Sequence, residues 1–138
     1  MGLAIILAVI ACCIGGAMGG YALARPHEAA RLVGLTPDPE KPHALAEVRA
    51  TYGGLVVLSH AAVAGALGYA PYAGAWMALT LSAAWTGAAL ARGWSMMKDD
   101  SDTSFNVRAT VFEFLMGVTL ALPFWSLSGS GGGGGVLV

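Results

Sequence analysis

Leu3 to Leu23 reads LAIILAVIACCIGGAMGGYAL, a run without a single charge. An α-helix rises 1.5 Å per residue, so about 20 apolar residues span the roughly 30 Å hydrocarbon core of a bilayer. The run is too long for the apolar part of a cleaved signal peptide, and no base precedes it, since the first is Arg25. It is therefore expected to stay in the protein as a membrane-spanning helix.

The rest of the chain repeats that texture. Apolar residues make up 57% of the 138 and charged residues 11%, against about 25% charged in an ordinary soluble domain. The charges fall into two stretches, Arg25–Arg49 and Arg92–Glu113. Between and around them, apolar sequence predicts four spans, approximately Leu3–Leu23, Ala50–Ala70, Ala75–Arg92 and Val107–Leu127. The uncharged Pro71-Tyr72-Ala73-Gly74 predicts a tight turn between the second and third. The fold class that follows is all-α: an integral membrane four-helix bundle of two antiparallel hairpins. Positions 1–127 form the transmembrane domain, and 128–138 read as a Gly-rich flexible tail or linker.

All seven bases flank the first-to-second and third-to-fourth connections. The positive-inside rule places both connections in the cytoplasm and both termini in the periplasm of a bacterial inner membrane. Tyr69, Tyr72, Trp76, Phe124 and Trp125 fall at the outer boundary, Tyr52 and Trp94 at the inner one. In the first connection, His27–Val33 predicts a short interfacial helix with Ala29, Ala30, Leu32 and Val33 toward lipid, and prolines 26, 37, 39 and 42 interrupt the segment around it. A parallel internal repeat is suggested by Leu23-Ala24-Arg25 and Leu90-Ala91-Arg92 closing spans one and three. Val48-Arg49-Ala50-Thr51 and Val107-Arg108-Ala109-Thr110 likewise open spans two and four.

Small residues recur every fourth position in Ala11, Gly15 and Gly19, in Ala61 and Gly65, and in Ala83, Gly87 and Ala91. That spacing lets helix backbones approach closely, within a bundle or between chains. Adjacent Cys12 and Cys13 suit neither a disulfide nor a metal and read as packing residues. A net charge of −1 gives no electrostatic case for nucleic acid. No phosphate loop, nucleophile elbow, metal motif or catalytic dyad is present, and the chain is read as leaning away from an enzyme.

The polar residues inside the spans are the functional candidates. Glu113 lies roughly 6–10 Å inside span four at 1.5 Å per residue, where a carboxylate must face protein and find a partner. Asn106, Thr110, Glu113 and Gly117 share one face of span four; Arg49, Tyr52, Val56 and His60 share one of span two. If those faces meet, Arg49, Arg92 and Arg108 converge on Glu113 beside Tyr52, either as a binding site or as an ion pair locking the bundle. His60, mid-span, is a proton relay, a haem or chlorophyll ligand, or a core residue bonded to Thr or Trp.

Glu47-Val48-Arg49-Ala50-Thr51-Tyr52-Gly53-Gly54 resembles the E-x-R-A-x-Y-G-G segment of a bacterial four-helix membrane family known as domain of unknown function 4345. Pro26 with Val33-Gly34-Leu35, Arg92-Gly93-Trp94-Ser95 before Lys98-Asp99, and Glu113 are similar to its other landmarks. Asp99-Asp100 departs from its Asp-Gly turn, and His60 matches none of its motifs. The resemblance implies fold and location and carries no activity. Together these readings assemble a polar cluster of Glu47, Arg49, Tyr52, Arg92, Ser95, Arg108 and Glu113, with His60 second, for a lipid, small ligand or partner. Two alternatives stay open: an accessory subunit of a larger redox or photosynthetic membrane complex, and a proton-coupled or redox carrier resembling the DoxX-like proteins. Membrane lipid is the expected partner and other membrane subunits a further one. No cofactor or metal is expected, with quinone, haem or pigment left open.

Overall fold

The computed structural model describes residues 2–130 apart from Pro39 and Pro42. The Gly-rich tail expected from 128 lies outside the described residues beyond Ser130, and so do the breaks expected at Pro39 and Pro42. Among the described residues there is no strand. Helix α1 is Leu3–Ala24, α2 Pro26–Leu32 and α3 His43–Glu47; a π-helical segment, Val48–Gly54, runs straight into α4, Leu55–Tyr69. Helices α5, Pro71–Lys98, and α6, Ser104–Ser130, complete the chain.

The helix ends have local causes. Helix α1 stops where Pro26 cannot continue it; Arg25 donates its N–H back to Tyr21, and Pro26 opens α2 at a position where a missing N–H costs nothing. Gly34, at φ +77°, ends α2: Leu35 N–H reaches the Ala30 carbonyl and Gly34 N–H that of Arg31. Thr103 caps α6 by accepting the Asn106 N–H at 3.2 Å. The expected Pro71–Gly74 turn contracts to Ala70 alone. Pro71 is the first residue of α5, and Gly74 is buried directly against the backbone of Ala66 and Leu67, where a β-carbon would not fit.

Helix α1 packs on α4, α4 on α5, α5 on α6, and α6 back on α1. Ile5, Ala8, Ala11 and Cys12 of α1 meet Val63, Leu67, Ala78, Met116 and Leu120 in the core. Of the small-residue series, only Ala11, Gly15 and Gly19 is buried in this packing. Gly15 lies against the His60 ring and Gly19 against Val57 and the Gly53 carbonyl. Ala61, Gly65, Ala83, Gly87 and Ala91 are exposed. Trp76, Phe124 and Trp125 stack edge to face at the end away from the charges, with centroids 4.7 and 5.3 Å apart.

Among the described residues, three helical stretches are long and apolar enough to cross a membrane: Leu3–Ala24, His43–Tyr69 and Ser104–Ser128. Helix α5 is long enough but is the least apolar of the four long helices, and it carries Arg92 and Lys98. Large apolar side chains cover the outside: Leu58 and Leu90 are 71% and 70% exposed, an arrangement suited to lipid and not to water.

Two expectations are corrected. Ala30 is buried against protein instead of facing lipid. The repeated tetrapeptides do not occupy equivalent positions: Arg25 ends α1, whereas Arg92 lies inside α5. Val48–Thr51 is π-helical, whereas Val107–Thr110 is α-helical.

Candidate functional site

The charged end of the α5–α6 hairpin holds the candidate site. Arg92 projects from α5 toward Glu113, two turns inside α6. Its Nε donates to both carboxylate oxygens, at 3.2 and 3.1 Å, and Nη2 donates to Oε1 at 2.7 Å. Nη1 donates to Asn106 Oδ1 at 3.1 Å, while Asn106 Nδ2 donates to the Ser101 carbonyl at 2.7 Å. The loop between the helices, the first turn of α6 and the ion pair thus form one network. The side chains of Arg92 and Glu113 are 29% and 9% exposed. The carboxylate is enclosed while the guanidinium retains one unbonded N–H on each terminal nitrogen, since it carries five in all. Tyr52 of the π segment stands within electrostatic reach of Arg92 and is 46% exposed.

Three arginines do not converge. Arg49, expected to meet Glu113, is exposed, and its Nε donates to the Leu23 carbonyl at 3.4 Å near the end of α1. The π segment packs on α1 and not on α6, so Arg49 covers a helix end instead of a carboxylate. Arg108 turns back to its own helix, Nε donating to the Ser104 carbonyl at 3.1 Å. Ser95 donates to Asp99 Oδ2 at 2.7 Å and holds the end of α5. Glu47 is exposed at the end of α3 and makes no side-chain hydrogen bond among the described residues. Of the expected cluster, Arg92 and Glu113 are joined directly. Asn106 belongs with them, and its signal was its place on the Glu113 face of the helix.

His60 forms a separate, closed arrangement. Its Nδ1 lies 2.7 Å from the Val56 carbonyl, and the Trp85 indole N–H donates to Nε2 at 3.1 Å. The ring is 2% exposed and abuts Gly15. Both nitrogens are engaged, which fixes the neutral tautomer with hydrogen on Nδ1 and leaves none for a metal or haem. Of the partners expected for a core histidine, Thr or Trp, the one bonded here is Trp85. Ser82 instead donates to the Gly117 carbonyl at 2.6 Å. Nearby, Thr110 Oγ1 is buried without a partner. Among the described residues, no group of three or more His, Cys, Asp or Glu is placed to hold a metal.

At the first connection, Tyr21 donates to Glu28 at 2.8 Å and Arg25 to the same carboxylate at 3.2 Å. The tyrosine hydroxyl first, and Arg25 after it, hold that carboxyl below the ordinary carboxylate range. The contact fastens α2 to the end of α1 on an exposed surface.

The family model for domain of unknown function 4345 matches residues 3–124, and the chain belongs to that family. Comparison with curated proteins and with solved structures finds no match.

Proposed function

Starting from that membership, we propose that the chain is a non-enzymatic four-span protein of the bacterial inner membrane. Its four long helices form a bundle with both connections in the cytoplasm and both termini in the periplasm. Its half-open cluster around Arg92 binds a polar group carried by a lipid, a small ligand or a partner chain. The observation that carries the binding role is the guanidinium itself. Glu113 and Asn106 aim it, yet it keeps two unbonded N–H donors beside an exposed phenol. Charge-assisted hydrogen bonds from such a group are strong and directional. Because Glu113 already balances the charge, the ligand is polar or singly anionic. The placement of bases at one end and of Trp76, Phe124 and Trp125 at the other supports the orientation.

The test combines topology with ligand response. Cysteines at Thr36, Ser101 and Ser128 are probed with a membrane-impermeant thiol reagent in intact cells, in a background with Cys12 and Cys13 replaced by alanine. Only position 128 should label; labelling at 36 or 101 overturns the orientation. Thermal unfolding in mild detergent is then followed with and without native lipid extract. Extract should raise the midpoint of the parent by more than that of Tyr52→Phe, while the unliganded midpoints agree. No response in the parent would leave Arg92 and Glu113 as a structural lock only.

A second reading has its own support. The exposed small-residue stripes, Ala61 with Gly65 and Ala83 with Gly87 and Ala91, match surfaces on which another membrane helix packs. They favour an accessory role in a larger membrane complex, tested by whether the chain migrates with other subunits after gentle extraction. A proton-carrier role has less support, since His60 has no free nitrogen and Glu113 is held bidentately.

A further inference from the structure

On the other side of the α5–α6 seam from Arg92 lies an open groove of about 570 Å³, within the usual range for small-molecule sites. Leu90, Gly93 and Trp94 form one wall and Val111, Phe114 and Leu115 the other. Its lining from Thr86 to Met97 extends roughly 16 Å along α5 at 1.5 Å per residue, the scale of an extended hydrocarbon chain. The walls are almost wholly apolar, which suits a chain and not a polar solute.

The mouth of the groove supplies the second observation. Leu90, Trp94 and Lys98 follow one another at four-residue spacing on α5, while Arg108, Val111 and Leu115 follow at i, i+3 and i+7 on α6. Each wall therefore ends, at the charged end, in a base. Lys98 Nζ lies 5.4 Å from the centre of the ring of Trp94, itself a groove-lining residue. Arg108 spends only Nε on Ser104 and keeps its terminal nitrogens free. Beyond the bases come three acids: Asp99, engaged by Ser95, and Asp100 and Asp102, both exposed. The order from the membrane outward is apolar groove, two cations, then carboxylates. A glycerophospholipid with a primary ammonium in its head group has the complementary order: acyl chain, phosphate, cation.

We propose that this groove is a specific binding site for one phosphatidylethanolamine-type lipid. One acyl chain lies between α5 and α6, the phosphate sits at Lys98 and Arg108, and the ammonium faces Asp100 and Asp102. A glycerol head group, as in phosphatidylglycerol, brings no cation to those carboxylates. A choline head group presents no N–H donor to them. The inference rests on the membrane reading and is independent of any ligand at Arg92.

The experiment is native mass spectrometry of the full chain, extracted in mild detergent and offered mixed micelles of dioleoyl phosphatidylethanolamine, phosphatidylglycerol and phosphatidylcholine in equal amounts. One phosphatidylethanolamine per chain should be retained in preference to the other two. Soluble glycerophosphoethanolamine, which lacks the chains, should not displace it. Retention should fall at least tenfold in the double variant Lys98→Ala/Arg108→Ala. It should be lost in Gly93→Leu, since a β-carbon at Gly93 meets nothing within 4 Å and the new side chain enters the groove without disturbing the helices. Equal retention of all three lipids, preference for phosphatidylglycerol, or parent-like retention in both variants would overturn the proposal. Retention that fails in the two groove variants while Tyr52→Phe retains phosphatidylethanolamine like the parent separates this site from the one at Arg92.

Discussion

Arg92→Ala is expected to destabilise the protein more than Arg92→Ala/Glu113→Ala does. The single variant leaves a carboxylate only 9% exposed with its main donor gone. Stranding a buried charge costs about 3–5 kcal/mol in proteins. A loss of about 3 kcal/mol, the lower end of that range, is therefore expected. Glu113→Ala leaves a guanidinium that is 29% exposed and still bonded to Asn106. Partial hydration reduces its penalty to about 1–2 kcal/mol. The double variant loses packing but strands nothing, so it should cost about 1–2 kcal/mol, giving a coupling energy of about 2–3 kcal/mol.

The assay is reversible unfolding in mild detergent, followed by circular dichroism, for the parent and the three variants. Coupling within about 0.5 kcal/mol of zero would refute the view that this pair locks α5 to α6.

Two further outcomes follow from contacts elsewhere. Gly15→Ala should destabilise by about 1–3 kcal/mol, because its methyl group would overlap the His60 ring; unfolding midpoints measure the loss, and a shift in tryptophan emission would report displacement of His60 from Trp85. Thr110→Val should be neutral or stabilising by about 1 kcal/mol, since it removes a buried hydroxyl without a partner; a clear loss of stability by thermal unfolding would contradict it.

Much of the architecture is legible from composition because membrane-spanning helices announce themselves by length and apolarity. Leu3–Leu23 and α1 differ by one residue because Arg25 and Pro26 stop the run locally. Span three was expected to end at Arg92, yet α5 continues to Lys98. A charge reads as a boundary only when it must reach water, and here Glu113 meets it across the helix pair. That information is not local to α5. The same limit applies to the site: the depth of Glu113 calls for a partner but does not choose among Arg49, Arg92 and Arg108. The packing of α5 on α6 makes that choice, and it draws in Asn106 from the same face.

The family segment Glu47–Gly54 coincides almost entirely with the π-helical Val48–Gly54, and this accounts for residues whose roles the sequence left open. A π turn holds more residues per turn than an α turn, so side chains along it point in directions an α-helix would not give them, and such turns are often found at functional sites. Here Arg49 reaches the Leu23 carbonyl and Gly53 leaves room for the Leu23 side chain. Both fasten the segment to α1 at the level where that helix ends. With the segment held on α1, Tyr52 stays within electrostatic reach of Arg92. Arg49 and Gly53 therefore position the segment, and under the proposed function Tyr52 is its member at the binding cluster. An arginine in such a motif invites a reading as an anion binder. Under the proposed function that capacity belongs to Arg92, whose guanidinium is aimed by Glu113 and Asn106 and left partly open.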